Sequence, residues 1–465
     1  MRITQVKSLR DAEAFEAHVE SLGVDLPWHD DPASVLSRRV VVRDGTAGEL
    51  SASNRLAILP MEGWDGTADG RPTDLVQRRW ARFGASGAGL VWGEATALVP
   101  EGRANPNQLV LSDETVEDIA ALRALLADDQ VAGLQLTHSG RYARPADRAP
   151  RTAYVHPALD EPSGATEASV LSDDELDELV VAFVDAAVLA RDAGFDFVDV
   201  KACHGYLGHE LLSAYDRTGR YGGDFAGRTR FMRSVIEGIR SRAPDLAIGA
   251  RISIFDMAPF RPGAGGVGET TADGEYRYAF GGDGTGVGID LAEPSALLSM
   301  LEDLGVGLVS ATAGSPYYVP HVQRPAYFPP SDGYRPPEDP LVGVARLLAA
   351  TAELARRHPA IVVVGSGYSY LQQWLAPVAA GAVAEGGASM IGLGRMALSY
   401  PDMPNDVLAE GALQTRLICR TFSDCTTAPR AGLVSGCFPL DPFYKEHEHR
   451  VALAAAKKAS RSRLG

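Results

Sequence analysis

The chain has 465 residues, 45% of them hydrophobic and 22% charged, so it can bury a sizeable core and needs no disulfides or metal to fold. Lys and Arg total 44 against 60 Asp and Glu, a formal charge of −16, which opposes a broad grip on nucleic-acid phosphates or anionic lipid. The opening MRITQVKSLRDAEAFEAHVE is too polar for a secretory leader and no run approaches the ~18 apolar residues of a membrane span, so the chain reads as cytoplasmic.

Short apolar runs bounded by Gly, Pro or polar turns predict eight strands: Leu56–Leu59, Gly89–Trp92, Gly133–Leu136, Phe197–Val200, Ala247–Arg251, Val306–Ser310, Ile361–Val364 and Met390–Leu393. Most are continuously hydrophobic, as parallel strands covered on both faces must be. Helical patterns lie between them at Thr115–Leu126, Asp173–Ala193, Arg228–Ser241, Pro294–Asp303, Leu341–Arg357 and Tyr370–Glu385. This repetition predicts an α/β fold, a (β/α)8 TIM barrel, over an open doubly wound sheet. The barrel is expected over 41–404, with an N-terminal extension at 1–40 and a C-terminal extension at 405–465. The Gly-rich stretch Asp256–Glu293 is too long for a plain connector and reads as a mobile lid or a disordered excursion.

Barrel chemistry sits where strands end. Strands seven and eight end in VVVGSGYS and IGLGRM. Their glycines fit tight turns, but paired on these two strands and joined by Arg395 they favour a phosphate cradle of backbone N–H groups. Strand four runs into Lys201, His204 and Tyr206, a cation, an imidazole and a phenol able to converge on one substrate. Lys201 is the one lysine between Lys7 and Lys445. A buried lysine is costly unless paired or functional, and its structural alternative is an ion pair with a barrel carboxylate such as Glu94. A lysine in an apolar barrel mouth could also form a Schiff base, which leaves a flavin-free lyase or aldolase as a second reading. The loop after strand six carries Tyr317, Tyr318, His321 and Tyr327, suited to a stiff lid over a ring-shaped substrate or to packing on the C-terminal extension.

From about Asn54 to Asp402 the motifs NRLAILPM, GLQLTHSGR, HGYL, RTGRYGGDFAGRTRF, VGSG and GLGRMALSYPD follow in order. In this they resemble the Old Yellow Enzyme family of FMN-dependent ene-reductases, most of all its bacterial branch of 2,4-dienoyl-CoA reductases and NADH:flavin oxidoreductases. The resemblance implies that Pro60, Met61, Ala95 and Gln135 line FMN. Arg251 would lie beside flavin N1, and Gly365, Gly367, Gly394 and Arg395 would hold the FMN phosphate. Tyr206 matches the tyrosine that protonates the substrate carbon, and His204 the second member of a pair that grips the carbonyl oxygen. Lys201 stands where the first member, a histidine, is expected. Glu62 and Gly219 depart from the pattern as well, and Glu62 could pair with Lys201 or tune the flavin.

The implied activity is NAD(P)H-driven reduction of a carbonyl-conjugated C=C bond in a small molecule, ring-shaped or, given Lys201, anionic. FMN-dependent oxidation of an amine-like substrate is the further alternative. The dienoyl-reductase branch holds an iron–sulfur cluster on cysteines spaced C-x2-C-x3-C-x11-C. Here Cys425 and Cys437 keep the last interval, Phe422 replaces one cysteine and Cys419 is out of step, which argues against a cluster, and no metal is expected. That branch also carries a nucleotide-binding domain for which this chain has no room, so electrons are expected directly from NAD(P)H or from a partner protein. Oligomeric state stays open, a homo-oligomer included.

Overall fold

Largely apolar runs rich in Val, Ile, Leu and small residues form eight parallel strands whose residues are all buried: β1 (Leu56–Ile58), β2 (Leu90–Ala97), β3 (Val131–Thr137), β4 (Phe197–Val200), β5 (Ala247–Ser253), β6 (Leu308–Thr312), β7 (Val362–Gly365) and β8 (Met390–Leu393). In this computed structural model, which describes residues 3–145, 147–410 and 413–464, β8 pairs with β1 through Ile391 to Leu56 and Leu393 to Ile58, and the sheet closes into a barrel. The expected (β/α)8 fold is the fold observed. Residues 1–2, 411–412 and 465, parts of the expected extensions, lie outside the described residues. Among the described residues no helix is long and apolar enough to cross a membrane.

The expected helices appear, and among the departures from them two concern the wall of the barrel. A further helix, Asp74–Gly84, follows β1; only Val76, Trp80 and Phe83 carry its buried face beside the charged Arg79, too thin an apolar stripe to stand out in sequence. The single helix expected over Tyr370–Glu385 is a 3-10 segment, Tyr368–Trp374, and a helix, Leu375–Ala384, broken where Gln372 takes φ 56°.

A hairpin of Val40–Asp44 and Gly48–Ala52 closes the N-terminal end of the barrel, its Val40, Val42 and Ala52 packing on barrel-interior residues including Leu90, Val131 and Ala247. Asp44 clamps it in place, accepting from Arg240 Nη2 at 2.9 Å and the Ile248 N–H at 3.0 Å. The C-terminal end alone is left to hold a site. Inside, Trp92 meets Phe197 edge-on with centroids 5.0 Å apart, and Gly133 makes room for that ring.

The Gly-rich insertion is packed, not an excursion. Phe260–Pro262 pairs with Gly268–Thr270. Beyond that hairpin the Tyr276 hydroxyl lies 2.8 Å from His156 Nε2, and Tyr278 stacks on Tyr154. Aromatic anchors hold a backbone that its glycines alone would leave loose. The C-terminal segment lies over the barrel mouth: Ser423 Oγ donates to the Phe328 carbonyl at 2.6 Å, Thr421 Oγ1 accepts from the Tyr327 N–H at 3.2 Å, and Arg430 pairs with Asp332 at 2.8 Å.

A Cβ at position 133 would sit 2.1 Å from the Phe197 ring. Gly133→Ala should therefore lower unfolding free energy by about 1–3 kcal/mol through overpacking, measured by urea denaturation. Adding Phe197→Leu should recover part of that loss.

Candidate active site

The floor of the mouth is organised around Asp199. This β4 carboxylate is fully buried and accepts from Trp92 Nε1 on β2 at 2.8 Å, Gln135 Nε2 on β3 at 2.5 Å and the Arg251 N–H on β5 at 2.7 Å. Burial pushes its pKa up to about 6 despite these donors. Gln135 is thereby held facing inward, and Ala95, also in the wall of the barrel, gives its carbonyl to Gln108 Nε2 at 3.0 Å.

Above this floor opens a cleft whose walls include Pro60, Met61, Arg251, Gly367, Gly394 and Arg395. Six of the nine residues expected at the cofactor thus share one cavity. Ala95, Gln135 and Gly365 lie in the strands, outside the cleft wall. Gly367 has φ 97°, a left-handed conformation natural to glycine. Three guanidiniums reach this cleft with buried nitrogens unpartnered: Arg251 at Nε, Arg324 at Nε and Nη2, and Arg395 at Nη1, while Arg395 Nη2 donates to the Pro325 carbonyl at 2.7 Å. Burial lowers the Arg251 pKa. A buried guanidinium with free donors is costly unless an anion completes it.

A second lobe adjoins it and shares Glu62, His204 and Arg324 with the first. Lys201, His204 and Tyr206 all reach this lobe. Lys201, 5% exposed, places Nζ 3.7 Å from the Tyr206 ring centre and 3.8 Å from Glu62 Oε2. Its carboxylate is Glu62 and not Glu94, which is taken by Arg79 and Trp80, each at 2.9 Å. Glu62 also accepts from Trp64 Nε1 at 2.5 Å and from the Tyr206 hydroxyl at 3.3 Å, and that hydroxyl lies 3.2 Å from the Tyr317 hydroxyl.

Burial pushes Glu62 up and Lys201 down, each opposed by the other's charge. Tyr206 is held well above the usual phenol range by burial and then by Glu62, and burial with Arg251 and Lys201 keeps His204 well below the usual imidazole range. His204 sits at φ 66° and Trp64 at φ 53°, strained positions of the kind found at functional sites.

Of the loop after β6, Tyr317 alone of the four singled-out side chains joins this lobe, stacking on Tyr142 at 3.8 Å. Tyr318 bonds Asp256 at 2.5 Å and His321 bonds Tyr334 at 2.7 Å elsewhere. Arg324 and Gln323, from the same loop, went unnoticed in the sequence because nothing marks them in VQRP. Gln323 Nε2 lies 3.2 Å from His204 Nε2. Cys425 borders both lobes, and Cys419 and Cys437 are buried thiols. Among the described residues no three His, Cys, Asp or Glu are grouped to hold a metal ion.

Residues 46–268 match the model of the NADH:flavin oxidoreductase / NADH oxidase family. The chain belongs to the NADH:flavin oxidoreductase, or Old Yellow Enzyme, family. It is therefore a flavin oxidoreductase. It is similar to the NADPH dehydrogenase of Bacillus subtilis, 28% identical over 275 residues, 58% of this chain and 72% of that one. Its fold resembles histamine dehydrogenase from Rhizobium sp. 4-9 (TM-score 0.66, 20% identity, 89% of this chain), of which it spans about half the length, 53%. It also resembles the old yellow enzyme homologue from Zymomonas mobilis (TM-score 0.54, 23% identity), covering 80% of this chain and 93% of that one.

In this flavin oxidoreductase the loop bearing His204 and Tyr206 rests on His209, whose Nδ1 accepts from the Gly205 N–H at 2.8 Å, and His209 in turn faces Asp256 at 3.8 Å. Burial raises the Asp256 pKa to about 7. The folded protein thus keeps a proton that the unfolded chain releases near pH 4, so this stabilising contribution is intact below about pH 4 and lost as pH rises towards 7. Asp256→Asn keeps a partner for Tyr318 and does not titrate. Its melting temperature relative to the wild type should rise between pH 4 and 7, as followed by thermal denaturation.

Proposed function

We propose that this flavin oxidoreductase takes electrons from NADPH and reduces a carbon–carbon double bond conjugated to a carbonyl group, with Tyr206 as proton donor and Lys201 and His204 at the carbonyl oxygen. The observation that carries this reading is the convergence of these three side chains on a lobe opening directly into the cleft of Arg251, Gly367, Gly394 and Arg395.

The residues of that cleft fit FMN, which supplies a hydride when bound. The buried, unpartnered donors of Arg251 and Arg395 ask for negative charge. Arg395 with the backbone at Gly367 and Gly394 would hold the phosphate. Arg251 would stand at the ring system, where its charge favours the reduced, anionic form.

On the substrate side, Tyr206 keeps its proton at neutral pH because burial and Glu62 both resist the phenolate. The charge left after proton transfer to the substrate carbon would face Lys201 Nζ, 3.7 Å from the ring centre. Lys201 as a full cation stabilises enolate charge at a carbonyl oxygen, an effect of about 3 kcal/mol for one well-placed donor. Two alternatives lose support here. A Schiff base would engage Lys201 alone and leave the cleft of Arg251, Gly367, Gly394 and Arg395 without a role. An amine substrate would find the aromatic, carboxylate-lined position already held by that ammonium.

Purified protein should be yellow, or become so with FMN, and should bleach anaerobically with NADPH; protein that stays colourless with FMN overturns the reading. Tyr206→Phe should lower kcat for reduction of 2-cyclohexenone by about 10²–10³ while the NADPH-driven bleaching rate keeps its wild-type order of magnitude, measured by stopped-flow absorbance.

A further inference from the structure

Three arginines line the double cleft with buried nitrogens lacking partners: Arg251, Arg324 and Arg395. FMN accounts for two of them. Arg324 differs in position, since it borders both the flavin cleft and the lobe of Lys201, Tyr206 and Tyr317, whereas Arg251 and Arg395 border only the former. Its Nη1 donates to the Thr426 hydroxyl, a neutral acceptor, and its Nε and Nη2 are buried without any partner.

Charge bookkeeping in the substrate lobe isolates the same residue. Lys201 faces Glu62 at 3.8 Å, and Arg430 faces Asp332 at 2.8 Å while giving Nη2 to the Pro316 carbonyl. Arg324 forms no ion pair among the described residues, and repulsion from Arg430 and Arg395 is only partly offset by Cys425 and Asp332. Burial and the two arginines lower its pKa to about 9. An exposed arginine in this position would be unremarkable; a guanidinium with two dry, empty donors flanked by like charge is destabilising until an anion fills it.

We propose that Arg324 is the anion-binding residue of the substrate lobe and that the physiological substrate is an unsaturated carbonyl compound bearing a carboxylate. Two parallel donors, Nε and Nη2, match the two oxygens of a carboxylate. The proposal takes this lobe as the substrate's and so rests on the reading above. Its test reads equilibrium binding, so a protein that binds the probes but reduces no enone fails that reading and not this one.

The test uses the FMN-loaded full chain, with benzoate and benzamide as isosteric probes in isothermal titration calorimetry. Benzoate should bind at least about tenfold more tightly than benzamide, the discrimination expected of one charge-assisted bidentate contact. Arg324→Gln should bring the two within about twofold, and Arg324→Lys, which keeps the charge without the fork, should retain part of the preference. Thermal melting establishes that both variants fold; if Arg324→Gln does not, Arg324→Lys decides, supporting the proposal by a reduced preference and overturning it by an unchanged one. Equal affinities in the wild type overturn the proposal. So does an Arg324→Gln protein that keeps its benzoate preference but binds FMN about tenfold more weakly by flavin fluorescence, since Arg324 would then serve the cofactor's phosphate.

Discussion

One buried carboxylate ties the catalytic end of the barrel together. Asp199 draws donors from three neighbouring strands to a point beneath the cleft, through the indole of Trp92, the amide of Gln135 and the backbone of Arg251. Removing its oxygens would leave those groups unpaired in a dry interior, each worth about 1–3 kcal/mol. It also orients the whole floor at once. Trp92 is the ring that meets Phe197 at the packed layer below, and Arg251 is the guanidinium that rises into the cleft above. Packing and chemistry therefore share a joint, and the position of Arg251 is inherited from the barrel and not from a loop.

The cleft above that joint is strongly cationic in a protein of net charge −16. Arg251, Arg324, Arg395 and Lys201 gather within two adjoining lobes, with Glu62 as the facing carboxylate. An acidic exterior around a basic mouth focuses attraction on one place while discouraging non-specific association elsewhere. Lys201 fits this economy of charge. Paired with Glu62 and covered by Tyr206, it brings a fixed cation to a position where a histidine would be neutral, and the carboxylate that makes this tolerable lies two residues beyond the Pro60 of β1's end.

Much of this could be read from the sequence, for physical reasons that differ by residue. The eight strands announce themselves because burial on both faces makes them mostly apolar, with Glu94, Gln135, Asp199 and Arg251 among the polar exceptions, and the glycine-bearing ends of β7 and β8 because backbone approach to an anion excludes side chains. The Asp74–Gly84 helix was missed because its buried stripe includes Arg79, a residue whose burial depends on Asp65 and Glu94 far along the chain. Arg324 was missed for a related reason: the significance of an arginine lies in what fails to pair with it, and absence of a partner is a property of three-dimensional surroundings. The Gly-rich insertion shows the reverse error, since glycine content measures freedom of the unfolded chain, whereas Tyr276 and Tyr278 decide whether that freedom is used.

The C-terminal segment has a kinetic meaning. Cys425, Thr426 and Ser435 form part of the cleft wall, and Ser423, Thr421 and Arg430 fasten this segment to the loop after β6. Two hydrogen bonds and an ion pair thus hold this wall of the cleft against the loop that carries Tyr317 and Arg324. A ligand held against this wall would oppose any local opening of the segment, and so shield residues 421–435 from proteases and slow their amide exchange.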